Sequence, residues 1–299
     1  MRFDGGHKRD AFLMDVLGPH VEWIRVCPEV ELGMGTPRET LRLVRQGDRI
    51  RMVTTRTGVD HTEAMETWAR TRAEALSFED LSGYVLKKDS PSCGMARVKV
   101  YGRSGMPARE GRGLFADALL RRFPNLPVEE EGRLSDPRLR ENFIERVFAY
   151  RRLKDLFRGR WTTGQLVAFH TAHKIALLAH STSSYTALGQ MVAGASALPR
   201  QDVRANYESL FMRTLAAVAT PRRHANVLMH MAGHLKKRLD DASKRELLTA
   251  INEYRRELVP LVVPLTLIRH YVRAFDVAYL AGQTYLEPHP RELMLRNHV

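Results

Sequence analysis

The sequence predicts two domains of different class: an α/β domain over residues 1–128, built on an open, mainly parallel sheet, and an all-α domain over residues 137–299, joined by a linker at 129–136. Three observations carry this reading. At 299 residues the chain is too long for one ordinary domain and comfortable for two. Up to residue 127, short strand-like runs alternate with helical patterns, which argues for a layered α/β fold. Beyond that point every segment has helical period.

Taken in order, Val21 to Val26 alternates toward Cys27 as a strand. Thr40 to Val44 and Arg49 to Thr54 flank a Gln46-Gly47-Asp48 turn and form a hairpin. His61 to Leu81 is a helix with Met65, Trp68, Ala69 and Leu76 on one face. Tyr84 to Leu86 is a short buried strand that leads into Ser90-Pro91-Ser92-Cys93, and Gly111 to Arg122 is a second helix stopped before Pro124. Acidic Glu129-Glu130-Glu131-Gly132 has the composition of a linker. Ser135-Asp136-Pro137 then opens a long helix, with the serine as its cap and the proline in its first turn, and Gly159 closes it. Its apolar stripe is Leu139, Phe143, Val147, Tyr150, Leu153 and Phe157. Further helices follow at 164–180, 185–197, 202–219, 222–239, 243–258 and 263–280, punctuated by prolines.

Composition excludes several classes. With 44% hydrophobic and 27% charged residues and no low-complexity tract, the chain is globular rather than disordered or solenoid. The best apolar run, Leu258 to Ile268, is too short for a membrane helix and holds two prolines. The N-terminus is charged from its second residue and has no apolar stretch of the signal-peptide kind. Two distant cysteines do not form a disulfide framework, so the expected location is the cytoplasm. The net charge of +13 is uneven: residues 1–140 carry 24 Lys+Arg against 21 Asp+Glu, whereas residues 141–299 carry 23 against 13. An excess concentrated in one half points to a polyanion for that half, nucleic acid being the usual one. No membrane or protein partner is expected.

The two cysteines carry the most specific chemistry. Each lies in a short motif, Cys27-Pro28-Glu29-Val30 and Ser90-Pro91-Ser92-Cys93-Gly94, with a carboxylate or hydroxyl within three residues. Thiolates are natural ligands of iron–sulfur clusters, and a neighbouring acid or hydroxyl can move protons at a metal. Both motifs follow predicted strands, and the carboxyl ends of strands are where open α/β sheets bind ligands. Free cysteine is also a small buried hydrophobe, and Ser-Pro an ordinary turn.

The opening string Arg2-Phe3-Asp4-Gly5-Gly6-His7-Lys8, Cys-Pro-Glu-Val with Gly-Met-Gly-Thr-Pro-Arg after it, and Lys88-Asp89-Ser90-Pro91-Ser92-Cys93-Gly94 together resemble the thiouracil desulfidase family. The second half resembles the all-helical domain often fused to it, through Phe169 to Lys174 and Leu178-Ala179-His180, and the pairing is similar to that of the tRNA 4-thiouridine desulfidases. The resemblance implies a [4Fe–4S] cluster held by three cysteines, with an open iron that binds a thiocarbonyl sulfur as a Lewis acid while water displaces it without net redox. On that resemblance Cys27 and Cys93 match two cluster ligands, Glu29 is the candidate for activating water or relaying protons, and Ser90 is the candidate hydroxyl near substrate. Ser92 is a second, weaker candidate. Asp4 and Gly5 are expected to shape the pocket floor, and Lys88 to orient an anionic group. The family's first cluster cysteine lies in a strand just upstream of the Arg2-Phe3-Asp4-Gly5-Gly6 motif, and this sequence starts at Met1 with no third cysteine. The expectation is a start codon set too far downstream, so that the first strand and first ligand are missing and full activity is not expected of the chain as it stands.

In the helical half, Arg151, Arg152, Lys154, Arg158 and Arg160 are interleaved with Tyr150, Phe157 and Trp161, a pattern suited to tracking phosphates and stacking bases. His170, His173 and Lys174 join them as candidate RNA contacts. Nine of the twelve histidines lie in this half, and His170, His173 and His180 share a helical face, as do His230 and His234. Such spacing also suits a metal or a hydrogen-bonded core. The expected function is desulfuration of 4-thiouridine in thiolated tRNA. The rivals are a desulfidase of free thiouracil or another small thiolated base, and a non-catalytic RNA-binding or sulfur-responsive protein.

Overall fold

A computed structural model of the chain describes residues 3–6, 9–102 and 105–299, and the chain divides into two units, Met1–Ser135 and Asp136–Val299. In the first unit β1 (Leu41–Gln46) and β2 (Arg49–Thr54) form the expected hairpin, in register from Leu41↔Thr54 to Gln46↔Arg49. Gly47 opens the two-residue turn at φ +59°, the positive φ that a primed hairpin turn needs at its first position. β1 also pairs in parallel with β4 (Val98–Tyr101), and β4 pairs antiparallel with β5 (Pro107–Gly111), giving the order β2-β1-β4-β5. A second, two-stranded parallel sheet joins β3 (Tyr84–Leu86) to β6 (Val128–Glu130).

Helices α1 (Pro28–Glu31), α2 (Thr62–Ala75) and α3 (Leu114–Arg122) belong to this unit, with a six-residue π-helix at Phe12–Leu17 and short 3-10 turns. Met65 and Ala69 of α2 and Phe115 and Leu119 of α3 are fully buried, and Trp68 and Tyr84 meet the Phe115 ring at 5.4 and 6.0 Å. Leu43, Met52, Met65, Val98 and Val100 form the core under the larger sheet.

Three expectations change here. Residues 22–26 run up to Cys27 without pairing into a strand, and Trp23 and Ile24 are exposed, so alternation alone found no partner among the described residues. Helix α3 starts at Leu114, because Gly111 belongs to β5. The 129–136 segment is not a linker: Glu129 and Glu130 lie in β6, both buried, and the division between units falls after Ser135.

The second unit is all helix: α4 (Pro137–Leu156), α5 (Thr163–His180), α6 (Thr182–Ala193), α7 (Arg200–Ala216), α8 (Pro221–Leu235), α9 (Asp241–Arg255), α10 (Val262–Ala274) and α11 (Ala278–Ala281). None of the helices described is long and apolar enough to cross a membrane. Asp136, not Ser135, caps α4, accepting from the N–H groups of Arg138 and Leu139 at 2.9 and 3.0 Å. Thr162 and Gln165 form a reciprocal capping box on α5.

The inward face of α4 is more polar than its apolar stripe suggested, burying Glu141, Asn142 and Glu145 beside Phe143, Ile144, Ala149 and Leu153. Arg296, from the C-terminal segment, donates from Nε to Glu141 at 2.9 Å and from Nη1 to the Tyr285 carbonyl, with its guanidinium 4.8 Å from the Tyr285 ring centre. His180 lies between Glu145 (Nε2, 3.2 Å) and the Ala217 carbonyl (Nδ1, 2.5 Å). Both ring nitrogens therefore face acceptors, an arrangement that only the doubly protonated imidazolium satisfies. Burial works against that charge, but Glu145 and the carbonyl overcome it and hold the His180 pKa above its ordinary value. Two carboxylates and two cations thus balance inside the bundle.

Candidate active site

The Cys27 and Cys93 motifs come together in the N-terminal unit, each held by other elements. Cys27 is the N-cap of α1, with Pro28 at the first helical position. Its N–H donates to Oε1 of Glu31 at 3.2 Å, and Arg72 of α2 forms an ion pair with Glu31, Nε to Oε2 3.1 Å. Cys93 lies in the turn after β3. There Oγ of Ser90 accepts from the N–H groups of Cys93 (3.1 Å) and Ser92 (3.3 Å), and the Gly94 N–H returns to the Ser90 carbonyl at 2.8 Å.

The first turn of α3 grips this loop from the far side. Leu114 N–H donates to the Pro91 carbonyl at 3.2 Å, and Phe115 and Ala116 donate to the Ser92 carbonyl at 3.0 and 3.1 Å. These are the N–H groups that a helix start leaves unsatisfied, so the cysteine loop serves as its cap. Gly113 permits the approach: a Cβ there would fall 2.4 Å from the Ser92 carbonyl carbon and oxygen. From below, Glu130 of β6 accepts the Met95 N–H at 2.8 Å and Glu131 accepts the Lys88 N–H at 2.7 Å. The acidic run is thus the underside of the cysteine loop.

The functional groups form one chain. Ser92 Oγ donates to Oε1 of Glu29 at 2.6 Å, and Ser90 Oγ lies 2.9 Å from Ser92 Oγ. Because the carboxylate accepts and Ser92 has one hydrogen, the direction is set: Ser90 donates to Ser92, which donates to Glu29. The other carboxylate oxygen, Oε2, accepts from Nε of Arg38 at 3.0 Å and also from Nη2. Arg38 is almost wholly buried, with its side chain 4% exposed, and its remaining Nη1 reaches Gly35 O and Thr36 Oγ1. Burial pushes the Cys93 thiol up to about 12; the nearby Glu29 and Cys27 add to this, and the Ser92 and Ser90 hydroxyls oppose it. Burial likewise raises the Tyr84 hydroxyl, with Cys93 the next contributor.

The predicted site residues separate on inspection. Cys27, Glu29, Ser90 and Cys93 are brought together. Ser92 is fully buried, which removes it from substrate contact and makes it the link between Ser90 and Glu29. Asp4 is exposed and accepts the Gly6 N–H at 3.0 Å, while Gly5, at φ +87°, packs beside Thr36. The Phe3 carbonyl accepts the Arg38 N–H at 2.8 Å, which ties this opening segment to the residue that holds Glu29. Lys88 is exposed. Arg2, His7 and Lys8 lie outside the described residues. Arg38, Tyr84, Gly113 and Glu130 were not singled out from sequence, although Arg38 ends the Gly-Met-Gly-Thr-Pro-Arg stretch.

Two thiols at one place suit a thiophilic metal, which takes cysteine as the thiolate. The set is incomplete for a cluster with three cysteine ligands. The sequence has two cysteines, and among the described residues no group of three His, Cys, Asp or Glu side chains is placed to hold a metal ion.

In the helical unit, His170 and His173 are 3% and 2% exposed, which corrects the expectation that they meet RNA. His170 bonds Tyr207 Oη at 3.1 Å; His173 bonds the Phe169 carbonyl at 2.7 Å and stacks on the Phe169 ring at 4.0 Å. Burial lowers their pKa values to about 4 and about 3, with Lys174 and Arg152 adding to the effect respectively. Arg152 is turned inward as well, bonding His173 Nε2 at 3.3 Å and the Pro288 carbonyl at 2.9 Å. Lys174 is partly buried. Arg151, Arg158 and Arg160 are exposed, the first two paired with Asp155.

The chain is a small α/β domain with a two-cysteine site linked through Ser90, Ser92 and Glu29, followed by a basic helical unit. Residues 1–131 match the family described as 2-thiouracil desulfurase, and residues 174–290 match a family described as a protein of unknown function, DUF1722. The chain is 35% identical over 161 residues to the uncharacterized protein YbgA of Escherichia coli (strain K12), spanning 54% of this chain and 95% of YbgA. A solved structure titled [4Fe-4S]-dependent thiouracil desulfidase TudS is 32% identical, covering 44% of this chain and 83% of that one, with a TM-score of 0.36. The chain belongs to the family that includes YbgA.

Proposed function

We propose that this protein desulfurates 4-thiouridine in tRNA, giving uridine and sulfide, with the N-terminal unit carrying the chemistry and the helical unit holding the RNA. In this reading Cys27 and Cys93 are two of the ligands of a [4Fe–4S] cluster. The observation that carries the catalytic part is the relay from half-buried Ser90 through fully buried Ser92 to Glu29, beside the Cys93 thiol. Replacing C=S by C=O consumes one water, whose oxygen becomes the carbonyl and whose two protons leave with sulfide. In this reading half-buried Ser90 exchanges a proton with such a water, and Glu29, held by Arg38, is the far end of the relay. Lys88, exposed at the mouth of the same loop, supplies positive charge for an anionic group.

The test uses anaerobically reconstituted protein, both this chain and a form begun at an upstream in-frame start, incubated separately with thiolated tRNA and with free 4-thiouracil. Iron content, sulfide release and loss of thiocarbonyl absorbance are followed. Sulfide from tRNA and not from the free base supports the proposal; the reverse makes the free thiobase the substrate. Iron-free protein that binds tRNA without releasing sulfide in either form replaces the enzyme by an RNA-binding protein.

A further inference from the structure

The fold brings together cations from two helices that are far apart in sequence. Phe157 and Trp161, in the connection between α4 and α5, are buried and meet edge to face at 5.2 Å between ring centres. Arg204 of α7 places its guanidinium over Phe157 at 5.6 Å, and Arg200, one turn earlier on α7, lies over Trp161 at 5.9 Å. Both arginines are exposed, as are Arg158 and Arg160 on either side of Gly159. Lys154 lies 5.8 Å from the Tyr150 ring, and Arg151 and Arg158 share Asp155.

We propose that this ridge, comprising the end of α4, the connection after it and the start of α7, is the surface of the helical unit that takes the phosphate backbone of folded RNA. Six cations, Arg151, Lys154, Arg158, Arg160, Arg200 and Arg204, stand there against Asp155, Asp202 and, one turn beyond Arg204, Glu208. Two features separate it from an ordinary solvated basic face. Arg200 and Arg204 are backed by aromatic rings, which hold each guanidinium in place. A positioned fork of N–H groups loses little freedom when it binds a phosphate. The rings beneath are also rigid: Phe157 and Trp161 belong to the core that contains Leu153, Tyr207 and Phe211. Arg200 and Arg204 stand one helical turn apart, a rise of about 5.4 Å, so the two can meet neighbouring phosphates of one strand. The inference rests on the tRNA reading and refines it, replacing buried His170 and His173 with Arg200 and Arg204.

The test measures binding of the intact chain to a fluorescent, unmodified tRNA transcript by anisotropy across a series of salt concentrations. For R200Q/R204Q we expect affinity to fall roughly tenfold or more at physiological salt, and the slope of log K against log salt to shrink by about 1.4 to 1.8, two phosphate contacts' worth. R158Q/R160Q is expected to behave alike, and K236Q/K237Q to keep the wild-type slope. Far-UV circular dichroism checks that each variant is folded. Wild-type slope and affinity in both arginine pairs overturn the ridge while leaving the tRNA reading intact. No binding of the transcript by the wild-type chain at low salt overturns both.

Discussion

Replacing Arg296 with methionine tests what holds the helical unit together. Arg296 and Glu141 are 5% and 6% exposed at their side chains, and the arginine bonds Glu141, the Tyr285 carbonyl and the Tyr285 ring face at once. Methionine fills similar space but takes the guanidinium from Glu141, leaving it His289, whose Nε2 is at 3.9 Å, and leaves Glu145 paired with His180. Stranding one partner of a buried ion pair costs about 3–5 kcal/mol. For a unit of this size each kcal/mol moves the midpoint by roughly 2–4 °C, so the helical transition is expected to fall by roughly 6–20 °C. The cost belongs to the stranded charge, so E141Q/R296M is expected to recover most of it. Far-UV circular dichroism reports the melt, since this unit is nearly all helix. A loss below about 1 kcal/mol in R296M, or a double variant no more stable than the single one, refutes the reasoning.

Three further predictions follow from the same physical chemistry. The helical unit is expected to lose stability as pH falls below about 6.5: His170, His173 and His224 have folded-state values lowered by burial to about 4, about 3 and about 4, so the unfolded chain takes up protons there first. His180 acts in the opposite sense, its stabilisation complete below about 6.5 and lost as pH rises through its raised folded value, so urea titrations should show stability falling on both sides, and a flat profile from pH 7 to 5 contradicts the acid limb. In S92A, Glu29 loses its 2.6 Å donor and Ser90 its link to the carboxylate; desulfuration by the cluster-loaded protein should drop by about 10²–10⁴ while the fold survives, and undiminished turnover removes the relay. G113A drives a Cβ to 2.4 Å from the Ser92 carbonyl, so the N-terminal unit should lose about 1–3 kcal/mol and retain less iron after reconstitution; unchanged melting and iron content contradict the clamp.

What could be read from sequence was what depends on local pattern. Hairpin β1–β2 and the long helices follow from a turn glycine and from apolar periodicity, and the two cysteine motifs announced themselves by their flanking residues. What escaped was set by distant partners. The acidic composition of Glu129 to Glu131 looked like a linker because nothing local shows that Met95 and Lys88, more than thirty residues earlier, offer N–H groups to those carboxylates. Val21 to Val26 alternates well, yet alternation cannot supply a neighbouring strand. His170 and His173 lie beside Lys174 on their helix, and only tertiary packing against Tyr207 and Phe211 of α7 reveals that their edge of the helix points inward. Arg38 was visible as a letter in a motif, but its pairing with Glu29, nine residues earlier, needed the turn to close.

The acidic strand has a practical consequence for anyone separating the two halves of this protein. A fragment ending at 128 keeps both cysteines, the serines and Glu29, and on paper retains every group of the proposed relay. It would nonetheless forfeit the carboxylates that seat the Cys93 loop, together with the second strand of the smaller sheet. Such a fragment is expected to take up iron poorly or to precipitate, and that failure would be mistaken for a dependence on the helical half. Cutting after Ser135 spares the strand, and only then does the isolated N-terminal piece offer a fair comparison with the whole chain.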